Sequence, residues 1–505
     1  MSFFVSRRST VALAQAGLLS TASWICTGCG PTEPLDGLVG DHEHALGASE
    51  PSAAEGAGPA DFADEEATFA SREIVRGLSF PTRIVWGPDG YLWVTERVGK
   101  RVVRVRPSDG QRTTAVTITE AYQSGGQDGV LGLALDPELL QGTGRDHVYV
   151  SYTHDADPGS AVSRRVKIRR YTYNPTTGTL GSPVDVITGL PGSDDHNSAR
   201  LLIGPDQKLY YTVGDQGNNQ FNRKCLRVGS QDLPTATEVA ARSWSKYAGK
   251  ILRLNLDGSI PADNPQIAGV RSHVYSYGHR NPQGLTFRGS ALYANEHGPK
   301  SDDELNLIQP GKNYGWPHVA GYQDDQAYTY ANWSASSPTP CASLPWDDYS
   351  PPASVPRQQE SAWSHPDFTE PLLTFYTVGN DHNFRDPACG SSAYICWPTI
   401  APSALHHVAA ESGIPGWGDS LLMTTLKKGA VYRVKLSASG DSVVGEPTVH
   451  LATTNRYRDL ALSPDGRTIY VITDTSGNTS GPTGGSTTAL SNPGAILEFT
   501  YTGPG

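Results

Sequence analysis

The sequence predicts an all-β protein, a six-bladed β-propeller of four-stranded antiparallel blades. Three observations carry the prediction. A turn followed by an apolar strand recurs six times, and an alternating strand follows each copy. No sustained 3.6-residue apolar period intervenes. The copies begin Gly-Pro-Asp-Gly-Tyr-Leu-Trp-Val at Gly87, Asp-His-Val-Tyr-Val at Asp146 and Gly-Pro-Asp-Gln-Lys-Leu-Tyr-Tyr at Gly204. They continue with Gly-Ser-Ala-Leu-Tyr-Ala at Gly289, Gly-Asp-Ser-Leu-Leu-Met at Gly418 and Ser-Pro-Asp-Gly-Arg-Thr-Ile-Tyr-Val at Ser463.

The strands expected to follow are Arg101 to Arg106, Val166 to Tyr173, Lys250 to Leu256, Glu304 to Ile308, Ala430 to Leu436 and Ala495 to Tyr501. One strand-turn-strand unit buries its faces only against its neighbours, so six units call for a closed ring. A sandwich or two β domains is the competing arrangement, and the repeat favours the propeller. Spacing is widest between Leu292 and Leu421, which implies large loops gathered on one face.

Composition agrees, with 54 Gly, 37 Pro and 9% aromatic residues. A formal charge of −11 argues against a nucleic-acid partner. Residues 1–29 read as an export signal: Arg7 and Arg8 start it, and Val11 to Ile25 is mostly apolar but a poor membrane span. Ser6-Arg7-Arg8 resembles a twin-arginine signal. Thr27-Gly28-Cys29 is a candidate lipoprotein site, although Cys26 stands where a branched aliphatic residue is usual. The expectation is an exported protein, periplasmic or secreted, with Cys29 as its candidate lipid anchor. Residues 30–68 read as a flexible acidic linker and residues 69–505 as the propeller. No later segment reads as a membrane span. Beyond the signal, Cys389 and Cys396 enclose a six-residue loop and are expected to form a disulfide. Cys225 and Cys341 are candidates for a second, with three pairings of the four open.

Four segments concentrate polar groups where a strand has ended. In Asp194-Asp195-His196-Asn197-Ser198, flanking carboxylates suit His196 to accept a proton, and Asp215 ends the next strand and could orient the ring. Gly278-His279-Arg280-Asn281-Pro282-Gln283-Gly284 pins a guanidinium and an amide in a stiff loop, able to face developing negative charge or simply to tie blades together. Glu296 to Glu304 contains Gly298-Pro299, whose carbonyls can face one way, and Ala320, Tyr322, Asp324 and Asp325 add a second oxygen-rich stretch. Both suit calcium, and both could equally be solvated acidic loops. Leu426-Lys427-Lys428-Gly429 and Asn455-Arg456-Tyr457-Arg458-Asp459 supply cations that suit a polyanion or a solvated face. Nicotinamide, flavin, nucleotide and serine-nucleophile signatures are missing.

Taken together the chain from about Glu73 to Thr502 resembles the soluble pyrroloquinoline quinone (PQQ)-dependent glucose dehydrogenases of the glucose/sorbosone dehydrogenase family. The motifs are Gly-Gln-Asp-Gly-Val-Leu-Gly at Gly126, Asp-His-Asn-Ser-Ala-Arg-Leu-Leu-Ile-Gly-Pro-Asp at Asp195 and Gly-His-Arg-Asn-Pro-Gln-Gly-Leu at Gly278. Asn-Tyr-Gly-Trp-Pro at Asn313, Tyr-Ile-Cys-Trp-Pro at Tyr394 and Asn-Arg-Tyr-Arg-Asp at Asn455 complete them. The resemblance implies PQQ over the propeller channel and calcium-assisted oxidation of an aldose, glucose first, at its anomeric carbon to a lactone. It implies His196 as general base, Asp215 as its orienting partner, and Arg280 beside the quinone. Asn281, Lys427, Arg456 and Arg458 would bind the cofactor. Gln127, Asp195 and Gln220 would hold the sugar, against a wall of Tyr394 and Trp397 on a loop fixed by the Cys389–Cys396 disulfide.

Gly298 and Pro299 would bind the catalytic calcium, whereas Ala320, Tyr322, Asp324 and Glu360 match further calcium ligands linked to a homodimer. The electron acceptor is not identified by any haem motif. A broad-specificity aldose dehydrogenase is one alternative. A calcium-dependent propeller lactonase is another; it requires a carboxylate cage in the channel and leaves the three cations unused. Departures from the family pattern are His297, where Gln is usual, His382, Phe384 and Arg385 near the sugar entrance, and the segments Phe221 to Tyr247 and Trp333 to Arg357.

Overall fold

In each repeat the turn delivers a strand that is apolar on both faces. In the first copy Leu92 and Val94 point to one side and Trp93 to the other, and all three are fully buried. A strand with no solvated face must lie between two other sheets. The computed structural model, which describes residues 67–504, has that arrangement six times over.

The first blade is Pro81–Trp86, Leu92–Glu96, Arg101–Val105 and Arg112–Thr117, each strand antiparallel to the next. The second is Val130–Leu135, His147–Asp155, Arg164–Asn174 and Thr179–Pro191; the third is Ser198–Ile203, Leu209–Val213, Lys250–Leu254 and Val274–Tyr277. The fourth holds Pro282–Arg288, Ala291–Glu296, Asp303–Ile308 and Leu373–Phe375, and the fifth Pro402–His407, Ser420–Thr425, Val431–Lys435 and Thr448–His450. Tyr457–Leu462, Thr468–Thr473 and Ile496–Pro504 make the sixth, whose outer strand is Ala67–Val75 from the other end of the chain. That pairing closes the ring and leaves the last blade without a missing edge. The strand starts at Ala67, slightly before the boundary read from composition.

All six recognised repeats are therefore second and third strands of successive blades. The innermost strands pack on one another in order, with that of the sixth blade against that of the first. One apolar cluster fills each gap between neighbouring blades; Trp93, Val148, Val150 and Tyr171, for example, lie between the first and second. At the axis the buried Arg83 donates to the carbonyl oxygens of Ser198 (3.2 Å), Gln283 (3.3 Å) and Ser403 (3.5 Å), so one guanidinium ties four blades. Arg200 of the third blade pairs with the buried Asp459 of the sixth at 2.8 Å.

The wide spacing seen between Leu292 and Leu421 corresponds to two insertions, 309–372 inside the fourth blade and 376–401 before the fifth. A third, 214–249, interrupts the third blade and holds a five-residue helix, Ala236–Ala240, capped by Thr235 and Glu238. Two disulfides form, Cys225–Cys341 and Cys389–Cys396. Among the described residues no helix is long and apolar enough to cross a membrane. The export signal, Cys29 and nearly all of the linker lie outside the described residues.

Candidate active site

In an antiparallel blade, the start of the first strand and the end of the second meet at one face. That simple rule gathers the site. Gln127, Asp195, His196, Arg280, Arg456 and Phe80 precede first strands; Arg97, Asp215, His297, Lys427 and Asp474 follow second strands. Nine of these eleven, all but Asp195 and Asp215, line a cavity of about 490 Å³ that also includes Gly298, Pro299, Tyr394, Trp397 and Arg458. This volume is typical of a small-ligand site.

His196 sits at φ 43°, in the left-handed region that side chains rarely adopt. Gly214 makes room for it: a Cβ there would stand 2.0 Å from the His196 carbonyl oxygen. The ring's Nδ1 meets Asp215 Oδ1 at 2.7 Å. Asp215 also accepts from Gly217 N (2.9 Å) and from Trp316 Nε1 (2.9 Å), so it is fully committed. Burial pushes the Asp215 carboxyl up, but His196, Arg280 and the Gly217 N–H more than offset this and hold it below the usual carboxylate range. An ionised Asp215 keeps a proton on Nδ1, which leaves Nε2 with its lone pair on the cavity side. Nε2 lies 3.4 Å from Gln220 Nε2 and 3.9 Å from Asp195 Oδ1.

The expected sugar-binding groups form one chain. Gln127 and Gln220 donate to Asp195 at 2.6 and 3.1 Å, and Arg280 Nη2 donates to Gln220 Oε1 at 3.3 Å. Arg280 Nη1 donates to the His297 carbonyl (3.1 Å), its plane faces Trp316 (5.3 Å), and its buried Nε has no partner. Asn281 is buried, and its Oδ1 accepts from Ser198 and Gln283; it is not among the residues lining the cavity.

Across the cavity, Arg456 Nε (3.1 Å) and Arg458 Nη2 (2.8 Å) share the Asp474 carboxylate, while Lys427 Nζ donates to Thr399 Oγ1 (2.7 Å) and to the Trp397 carbonyl. Burial lowers the Lys427 ammonium, with Asp303 opposing. In all, five Lys or Arg side chains line the cavity against two carboxylates, Asp303 and Asp474. The wall is built for anionic groups. Tyr394 is largely exposed and Trp397 half-buried, both on the loop that the Cys389–Cys396 bond closes.

The acidic stretch Glu296 to Glu304 is neither solvated nor a metal cage. Three of its carboxylates are buried on backbone N–H donors: Glu296 takes Arg280 N, Asp303 takes Gly298, Ile400 and Ala401, and Glu304 takes Gly321, whereas Asp302 accepts from the Thr377 hydroxyl at 2.5 Å and leaves its other oxygen without a partner. Among the described residues the Gly298 and Pro299 carbonyls accept no hydrogen bond, and no group of three His, Cys, Asp or Glu converges as a metal cage. Burial, helped by the neighbouring Asp324, pushes the Asp302 carboxyl up to about 6, and burial, helped by Asp324 and Asp302, pushes Glu360 up to about 8. Glu360 accepts from Ala320 N and Asp325 N, and Tyr322 is in the same loop.

Three contributors escaped the sequence reading. Trp316 stood in a recognised motif without a role, and its role depends on an insertion folding back from the fourth blade. Arg97 lines the cavity with a buried, unpartnered Nη1. Its only sequence signal is its place after a second strand. Asp474, the counter-ion of the cation pair, follows the sixth such strand.

Fold and site together define a ligand-binding propeller with an oriented histidine on one side of a cavity and a surplus of cations on the other. The glucose/sorbosone dehydrogenase family model matches residues 78–372 and 377–481. A quinoprotein glucose dehydrogenase B of Acinetobacter calcoaceticus is 44% identical over 449 residues, 88% of this chain and 93% of that protein. An aldose sugar dehydrogenase of Escherichia coli is 28% identical over 408 residues, 79% and 88% of the two chains. The solved PQQ-bound aldose sugar dehydrogenase of Streptomyces coelicolor is similar with a TM-score of 0.58 and 25% identity, covering 87% of this chain and all of that one. The chain belongs to the glucose/sorbosone dehydrogenase family.

Proposed function

We propose that the protein is a quinoprotein that oxidises an aldose, glucose first among them, at the anomeric carbon to its lactone. Family membership supports sugar oxidation with PQQ. The observation that carries the finer reading is the His196–Asp215 pair facing the cation-lined cavity. His196 Nε2 takes the anomeric hydroxyl proton, and Asp215 steadies the imidazolium that results. Gln127, Asp195 and Gln220 hold the sugar hydroxyls, Tyr394 and Trp397 give the ring an apolar wall, and Arg280 faces the negative charge that develops. The chemistry that PQQ would supply when bound is that of an acceptor for the anomeric hydride.

The residues present fit that group. Lys427, Arg456 and Arg458 match its three carboxylates, and the unpartnered nitrogens of Arg97 and Arg280 leave donors for its oxygens. The Gly298 and Pro299 carbonyls suit a calcium ion completed by the ligand's own oxygens rather than an all-protein cage. Gly298 is required for that turn, since a Cβ would meet the Ser301 carbonyl at 1.9 Å. The cations unused in a lactonase face the site, which favours the dehydrogenase reading. Ala320, Tyr322, Asp324 and Glu360 would hold structural calcium at a homodimer interface. Two disulfides support an oxidising compartment and hence export, periplasmic or secreted, with Cys29 the candidate anchor.

The test is reconstitution of the purified protein with PQQ and calcium, following reduction of an artificial acceptor with a panel of aldoses. Oxidation of at least one aldose, abolished without PQQ, is expected. No activity with any aldose would overturn the reading.

A further inference from the structure

Each first strand runs from the face that carries His196 to the opposite mouth of the channel, and there its side chains make a different site. A cavity of about 260 Å³ lies at that mouth, lined by the later residues of first strands from five blades. Of its thirteen lining residues only Arg200 and His406 are polar. Val85, Trp86, Leu135, Leu202, Ile203 and Leu462 are half-buried, so an apolar ring is left open to solvent.

The polar end of this cavity is cationic. Arg200 is 5% exposed and gives its Nη1 to Asp459 Oδ2 at 2.8 Å. Its Nη2 faces His406 Nε2 at 3.1 Å, and its buried Nε has no partner. The same His406 nitrogen lies 3.2 Å from Asp459 Oδ1. Burial pushes the Asp459 carboxyl up, but Arg200, His406 and Arg83 more than offset this and hold it well below the usual carboxylate range. His406, kept neutral by burial, has one ring proton, which an ionised Asp459 draws onto Nε2. Arg200 Nη2 then meets a donor rather than an acceptor. The Nε–Nη2 edge is therefore the side of the guanidinium left without an acceptor. Nearby, among the described residues, the buried Arg83 donates to carbonyl oxygens alone, and burial together with Arg200 lowers it to about 9. Two buried guanidinium groups thus stand against one carboxylate, and the excess positive charge borders an apolar cavity.

A guanidinium edge at the base of an apolar pocket selects a planar anion with a hydrocarbon tail. We propose that the lower mouth of the channel binds a medium-chain fatty acid, its carboxylate on the Nε–Nη2 edge of Arg200 and its chain along Trp86, Leu135, Leu202 and Leu462. The site is separate from the cavity at His196, since no residue lines both. It does not depend on the oxidation reading.

The test is calorimetric titration of the protein with butanoate, hexanoate and octanoate in the presence of PQQ and calcium, which fill the cavity at His196. One saturable site is expected, its affinity rising about four-fold per methylene along the series. Octanol, with the same chain and no charge, binds about ten-fold more weakly. Leu202 is half-buried, so Leu202→Gln keeps the fold, and it weakens octanoate about ten-fold. Arg200→Gln makes acid and alcohol bind alike; should that variant fail to fold, the acid–alcohol comparison and Leu202→Gln decide. Equal binding of octanoate and octanol by the parent protein overturns the proposal. So does octanoate that PQQ displaces, which places the acid in the cavity at His196, and so does an octanoate affinity unchanged in Leu202→Gln. A dimer in sedimentation that Leu202→Gln splits, with no octanoate bound, also overturns it and makes this face an interface between copies of the chain.

Discussion

The two sides of the main cavity are held in opposite ways. Around His196 the carboxylates already have their partners: Asp215 is saturated by His196, Gly217 and Trp316, and Asp195 accepts from Gln127 and Gln220. Around Arg458 the cations outnumber their carboxylates, two arginines share Asp474, and Arg97 keeps a buried nitrogen without a partner. On the function proposed above, the first side is preorganised for a proton transfer. The second stores unpaired positive charge that only an anionic ligand can satisfy. Removing a carboxylate should therefore have opposite consequences on the two sides.

The largest effect is expected from His196→Ala, which lowers kcat about 10⁴-fold while leaving PQQ binding intact. Steady-state kinetics beside calorimetric titration of PQQ separate the two, and unchanged turnover would remove His196 from its role. Asp215→Asn comes next, with kcat down about 10²-fold because the ring loses its orienting charge; a fall in PQQ affinity of the same size would instead mean that the site had collapsed. On the other side, Lys427→Ala or Arg458→Ala weakens PQQ binding about 10-fold to 100-fold, and added salt narrows the gap to the parent protein. Turnover at saturating PQQ changes far less than in Asp215→Asn.

Asp474→Asn sharpens the contrast most directly. It tightens PQQ binding by up to about ten-fold by removing the competing carboxylate, yet destabilises the cofactor-free protein by about 3 kcal/mol because two guanidinium groups lose their counter-ion. Arg458 and Arg456 overcome the upward push of burial and hold the Asp474 carboxyl below its ordinary value. A depressed carboxyl adds stability above its unfolded pKa of about 3.9, and that stability is lost as pH falls through the folded value. Urea unfolding should separate parent and variant at pH 7 and bring them together near pH 2. A gap that persists in acid would assign the loss to packing.

Legibility followed distance along the chain. The His196 and Arg280 segments could be read because each sits in a dense local motif beside a first strand. The cation cluster was locally indistinguishable from a solvated basic face, and only family resemblance supplied its role. Glu296, Asp303 and Glu304 looked like solvent or metal groups because sequence does not show which backbone N–H groups will be buried nearby. Trp316 reaches Asp215 across 101 positions and Ala67–Val75 closes the sixth blade more than 400 positions away. Neither contact leaves a mark on its neighbours.

By itself, then, the sequence determined the repeating unit, its sixfold copy and the residue types at each strand end, since turn chemistry and two-residue alternation act between near neighbours. Tertiary structure alone decided which of those ends share a cavity, which carboxylates are neutralised and where charge is left over. Those outcomes depend on ring closure, which brings distant segments into one low-dielectric space where burial and pairing, not local propensity, set the energy.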